Sequence, residues 1–144
     1  KYTDTLLYLA ARNEHIKNKI KPALQKKKIV ICDRFIDSTF AYQVYGKKVD
    51  KLFIKQIHNF ILQGVKPNIV FVLKVSTKSS KKRLKKRKTK NRYDNFNQSF
   101  YNKAQKSFIK IAKGKKNYFV LNSSLNDSSL EKKIFNITQK YLKI

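Results

Sequence analysis

Ile29-Val30-Ile31-Cys32-Asp33-Arg34 is the stretch that decides how this chain is read. Four apolar residues without interruption predict a short strand covered on both faces, the pattern of a parallel sheet. The charged pair directly after them marks the carboxyl end of that strand, and ligands of parallel α/β sheets bind outside such ends. An arginine there offers a planar fork of donors suited to phosphate, while a carboxylate can hold Mg²⁺ through water. By itself the dipeptide reads equally well as an ordinary ion pair at a strand end.

Outward from this stretch the chain alternates helices and strands. Asp4 to Ile20 has helical spacing, with Leu6, Leu7, Ala10, Ile16 and Ile20 as the inward face and Asp4 as N-cap. Pro22 permits a further turn through Leu24, and a short helix spans Thr39 to Tyr45. Asp50 caps a helix carrying Leu52, Phe53, Ile57, Phe60 and Ile61 inward and ending at Gly64. Ile69 to Val75 and Tyr118 to Leu121 predict two more strands. Helices are predicted over Ser79 to Lys88, Phe96 to Ala112 and Ser129 to Leu142. The expected fold is therefore α/β, a parallel sheet with helices on both faces.

The 144 residues carry 35 Lys and Arg against 8 Asp and Glu, a net charge of +27. That balance alone points to polyanions or phosphate-rich substrates, but a solvated, lysine-covered surface of the kind an AT-rich genome produces is the favoured reading. Only Arg12, Arg34, Arg83, Arg87 and Arg92 are arginines, so arginines and acids are the informative charges. Lysines are spread along the whole chain, and no helix-turn-helix, zinc-finger or ribonucleoprotein motif accompanies them, which counts against a basic nucleic-acid-binding domain. No stretch has the length of a membrane span. Cys32 is the sole cysteine, so no internal disulfide can form and a cytoplasmic setting is the simpler reading. The sequence has no methionine and starts at Lys1, which reads as a processed or truncated chain.

The run Asp33-Arg34-Phe35-Ile36-Asp37-Ser38-Thr39-Phe40-Ala41-Tyr42-Gln43 resembles the thymidylate kinase signature, Asp-Arg followed by Ser-x-x-Ala-Tyr-Gln. Leu6-Leu7-Tyr8-Leu9-Ala10-Ala11-Arg12-Asn13-Glu14-His15 resembles that family's helix, and Ile20-Lys21-Pro22-Ala23-Leu24 its Ile-x-Pro-Ala-Leu. Pro67, Arg83, Arg87 and Arg92-Tyr93-Asp94 fall in register with the strand and lid of bacterial members. The resemblance covers nearly the whole chain. It implies one kinase domain over 1–144 with a lid at 83–94, of the P-loop NTPase-like kind, holding three of five strands.

It implies transfer of a phosphoryl group from ATP to dTMP, giving dTDP and ADP in dTTP biosynthesis, with Mg²⁺, by a cytoplasmic homodimer. Tyr8 then stacks on the thymine ring and Arg12 bonds the base edge; a four-residue spacing puts both on one helix face. Arg34 grips the acceptor phosphate, and Asp33 orders the magnesium shell. Ser38 and Thr39 lie near base and sugar, Tyr42 where a 2′-hydroxyl would project, and Gln43 is a further contact. Arg83 lies against adenine, Arg87 reaches the transferring phosphoryl group, and Arg92 and Asp94 close the lid.

Some positions depart from the pattern. Tyr8 replaces the usual Phe, Lys74 the usual Asp, and the proline expected near Thr77 is absent. Gly-x-x-x-x-Gly-Lys-Ser/Thr does not occur in the sequence. The resemblance places that loop and two strands upstream, so the isolated chain is expected to bind ATP phosphates poorly and to be inactive. Another nucleoside monophosphate kinase of the same fold is the alternative enzyme.

Overall fold

The computed structural model describes residues 1–86, 98–124 and 128–142. Two compact units divide the chain, Lys1–Pro67 and Asn68–Ile144.

The first unit is helical. Helix α1 (Tyr2–His15) runs through a π-helical turn (Ile16–Ile20) into α2 (Lys21–Gln25), which carries Pro22 near its start. Its inward stripe is Thr5, Leu9, Ile16 and Ile20, a sound helical spacing. Leu6 and Leu7, expected inward, face outward, and Leu7 is 66 % exposed. Thr5 can be buried because its Oγ1 donates to the Lys1 carbonyl at 2.8 Å. Asp4 is not the N-cap; it lies in the first turn and pairs with Lys47.

Helix α3 (Ile36–Thr39) continues as a second π-helical turn (Phe40–Gly46), and α4 (Lys51–Leu62) follows. Asp50 caps α4 as expected, its Oδ1 accepting from Phe53 N at 2.6 Å, and Gly64 follows its end in the left-handed region at φ +83°. Ile54, His58 and Ile61 form the buried stripe of α4, while Leu52 and Phe60 of the expected face point outward. Leu9, Val44, Val49, Ile54 and Ile61 make the core of this unit, with Phe40, Phe53, Ile57 and Leu62 packed around it.

Residues 29–32 do not form the expected strand. They follow α2 without a ladder partner among the described residues, and Ile31 is 94 % exposed. An apolar run is a strand only when a neighbour takes up its backbone N–H and C=O groups. The sheet seen is accordingly two-stranded, not three-stranded.

That sheet lies in the second unit. Strand β1 (Val70–Lys74) pairs in parallel with β2 (Tyr118–Asn122), Val70 opposite Tyr118 and Lys74 opposite Asn122. Between them run α5 (Thr77–Lys85) and α6 (Gln98–Ala112), the crossover a parallel pair requires. Helix α6 packs on both strands, burying Ala104, Ser107 and Ala112, and α7 (Ser128–Leu142) closes the unit. Beyond the strand ends Ser123 N donates to the Lys74 carbonyl at 2.7 Å, and Ser76 N to Ser124 Oγ at 3.0 Å. Lys74 pairs through its backbone, so the unusual side chain leaves the ladder intact. Among the described residues no helix is long and apolar enough to cross a membrane.

Candidate substrate site

The first unit carries an open cleft of about 180 Å³ lined by Tyr8, Ala11, Arg12, His15, Arg34 and Phe35. Helix α1 supplies the first four. Successive turns of one helix put Tyr8, Ala11, Arg12 and His15 on a common face, as the spacing predicts.

The opposite wall comes from the segment before α3. Arg34 lies in the left-handed region at φ +64°, a conformation that costs a non-glycine residue on the order of 1 kcal/mol. Phe35 follows in a non-helical conformation, φ -113° and ψ -138°, and its carbonyl accepts from Ser38 N at 3.2 Å, opening α3. This reversal brings consecutive residues, Arg34 and Phe35, to the same cleft.

Each guanidinium rests on an aromatic face and reaches a hydroxyl. Arg34 Cζ lies 4.6 Å from the Tyr42 ring centroid, and its Nε donates to Ser38 Oγ at 3.3 Å. Arg12 Cζ lies 5.3 Å from the Phe35 centroid, and its Nη2 donates to Thr39 Oγ1 at 3.0 Å. A cation over a ring within about 6 Å is attracted by the ring quadrupole, more strongly as water is removed. Ser38 and Thr39 are both buried, which fixes the two hydroxyls. Arg12 Nε is buried and makes no hydrogen bond among the described residues.

Charge in this cluster is unevenly compensated. Burial lowers the pKa of Arg12, Cys32 and Asp37 oppose that, and Arg34 adds to the lowering. Arginine nonetheless stays protonated, so two cations, Arg12 partly buried and Arg34 exposed, line one cleft, an arrangement that attracts an anion. Burial raises the Cys32 thiol, against the pull of Arg12, which keeps it uncharged at neutral pH. Behind the site His58 is 3 % exposed, and burial, with Arg12 adding to it, lowers its pKa to about 4. Its ring meets Phe40 edge-on at 5.3 Å, and neither ring nitrogen has a hydrogen bond among the described residues.

The structure thus brings together Tyr8, Arg12, Arg34, Ser38, Thr39 and Tyr42. Asp33 is exposed beside them. Gln43 is buried, does not line the cleft, and its carbonyl accepts from Val49 N at 2.9 Å. Arg83 lies on α5 of the other unit, where its Nη2 donates to the Ser123 carbonyl at 2.6 Å. Arg87, Arg92 and Asp94 lie outside the described residues. Sequence reasoning gave Phe35 and His58 no role. Phe35 was legible as the aromatic neighbour of Arg34; nothing in the spacing of His58 separates it from any histidine on a buried helix face.

The chain thus combines a small parallel α/β unit with a helical unit that presents two aromatic-seated arginines to an open cleft. Residues 1–134 match the family model described as thymidylate kinase. A thymidylate kinase of Mycoplasmoides gallisepticum is 33 % identical over 141 residues, covering 98 % of this chain and 67 % of that one. One from Aster yellows witches'-broom phytoplasma is 40 % identical over 146 residues, covering 99 % and 68 %. The crystal structure of thymidylate kinase from Ehrlichia chaffeensis superposes with a TM-score of 0.72 at 30 % identity, covering 96 % of this chain and 66 % of that one. The chain belongs to the thymidylate kinase family, a family of phosphotransferases, and spans about two thirds of the length of these relatives.

Proposed function

We propose that the protein transfers the γ-phosphoryl group of ATP to dTMP, giving dTDP and ADP, and that the cleft of the first unit is the dTMP site. The observation that carries this is the pairing of Arg12 and Arg34 beside Tyr8: two fixed cations and one flat ring in one cleft. Tyr8 would stack on the base and Arg12 bond its edge. Arg34, with Ser38 holding its Nε, would grip the acceptor phosphate. Thr39 fixes Arg12, Tyr42 seats Arg34 at the sugar side, and Gln43 supports the turn that carries Tyr42.

In the reaction an oxygen of the dTMP phosphate attacks the γ-phosphorus as the bond to the departing ADP oxygen breaks. Catalysis of such a step is mostly positioning and neutralisation of spreading negative charge. Arg83 is assigned to adenine, Arg87 to the transferring group, and Arg92 and Asp94 to lid closure, all on family register. Asp33 is a single exposed carboxylate next to Arg34, and no cluster of three metal-ligating side chains occurs among the described residues. A lone carboxylate beside a phosphate clamp fits Mg²⁺ that keeps most of its waters. Mg²⁺ bound with ATP supplies further neutralisation of the phosphate oxygens. A cytoplasmic setting belongs to the same proposal, supported by the unpaired Cys32, as does a homodimer, supported by the apolar surface that Leu6 and Leu7 leave on α1.

The test is an acceptor panel with the full-length protein and Mg·ATP. Higher kcat/KM for dTMP than for dCMP, CMP, UMP or GMP is the expected result. Preference for CMP or GMP would assign the protein to another base, and no phosphoryl transfer to any of them would overturn the reading.

A further inference from the structure

We infer that Phe35 is a positioning residue for base selection, acting as the seat that holds the Arg12 guanidinium at a fixed angle in the cleft. This deepens the proposed function and rests on it. Two observations carry it, one from packing and one from local backbone preference.

The first is how Arg12 is held. Its side chain reaches across from α1, and what fixes the guanidinium is the Phe35 face on one side and the Thr39 hydroxyl at one edge. Thr39 takes a donor on Nη2, and Nε is buried without a bond. A long arginine side chain otherwise has several rotamers available, and two contacts of different kinds, ring face and donor edge, remove most of them.

The second is where Phe35 stands. It occupies the N-cap position of α3 and makes no side-chain cap bond. Helices prefer Ser, Thr, Asp or Asn there, and an apolar residue forfeits on the order of 1 kcal/mol. The left-handed Arg34 immediately before it is a second local cost. Together the two expenses place a phenyl ring against Arg12, which an ordinary capped helix start would not do.

The consequence for selectivity follows from hydrogen-bond chemistry. A guanidinium can only donate. Thymine presents an acceptor at O4 where cytosine presents an amino donor. An Arg12 held rigidly at the base edge is satisfied by thymine and faces donor with donor at cytosine; an unseated one can swing away, and the penalty fades.

The experiment uses the full-length protein with Phe35→Leu and Phe35→Tyr, measuring kcat and KM for dTMP and dCMP and the ¹⁵N–¹H resonance of Arg12 Nε. For Phe35→Leu we expect KM for dTMP to rise about three- to thirty-fold, the range of a partly desolvated cation–π contact. Its kcat should change less than about twofold, and the dTMP-over-dCMP preference should shrink by a similar factor to the KM rise. The Arg12 Nε resonance should shift once the ring current is gone, without added nucleotide. Phe35→Tyr keeps the face and should restore all three. Unchanged KM and preference in Phe35→Leu overturn the inference, as does a fall in kcat that tracks a lower Tm and is not rescued by tyrosine. Failure of the parent reading looks different: the unaltered protein itself would show no preference for dTMP.

Discussion

Arg34 and Arg83 both sit near points where the family resemblance places nucleotide, yet the two units hold them by different means. In the first unit Arg34, like Arg12, lies on an aromatic face and reaches a buried side-chain hydroxyl. In the second, Arg83 bonds a main-chain carbonyl just past the end of β2. The first site is therefore built of side chains and is vulnerable to single substitutions. The second is built on backbone already fixed by a strand ladder, and tolerates change in its neighbours.

Arg34→Ala breaks the comparison at its strongest point. Removing the cation proposed to hold the reacting phosphate should lower kcat/KM for dTMP by about 10²–10³-fold, about 3–4 kcal/mol, as loss of a single charge-stabilising donor typically does. Steady-state assays that vary dTMP at saturating ATP check this. A change under tenfold would mean that Arg34 is only a surface charge.

Acid separates the two units next. His58 has its pKa lowered from 6.5 to about 4, chiefly by burial, so the folded state resists a proton that the unfolded chain accepts. Above about pH 6.5 both states are neutral there and nothing is lost. Between about 6.5 and 4 the unfolded state binds more protons and stability falls, levelling off below about 4. The full loss is on the order of 3 kcal/mol, from a shift of about two and a half pH units at about 1.4 kcal/mol each. Denaturant unfolding at pH 7 and pH 4.5 measures it, and His58→Leu should flatten the profile over that window. Core histidines are absent from the described part of the second unit, so its amides should exchange at the same relative rates across it.

Arg83→Ala sharpens the comparison with a smaller effect. The KM for ATP should rise about tenfold, near 1.4 kcal/mol, while the KM for dTMP stays put because Tyr8, Arg12 and Arg34 keep their seats. A rise in the dTMP KM instead would place Arg83 on the wrong nucleotide.

Part of the local structure was legible in the sequence, and the misses have physical causes. Asp50 and Gly64 were legible as helix ends because capping is local chemistry between neighbours. The Tyr8–Arg12 spacing and the hydroxyls at Ser38 and Thr39 were legible because helix geometry turns spacing into direction. Ile29 to Cys32 read as a strand just as Ile69 to Val75 did, yet among the described residues only the second has a partner; pairing is a property of two segments, and a run of apolar residues states only one. The burial of Leu9 in place of Leu6 and Leu7 turns on a rotation of α1 that Thr5 permits by bonding its own backbone. Phe35 was legible as the aromatic neighbour of Arg34, but its contact with Arg12 was not, because that contact follows a left-handed Arg34, which no residue pattern announces.

Hydrogen–deuterium exchange on the full-length protein, with and without dTMP, tests whether dTMP binds in the cleft of the first unit. With dTMP bound, peptides spanning 8–15 and 33–43 should slow their exchange together, while those spanning 98–122 stay unchanged. Protection confined to 98–142, or saturating binding with no change at 8–15 and 33–43, would contradict a dTMP site built on Arg12 and Arg34.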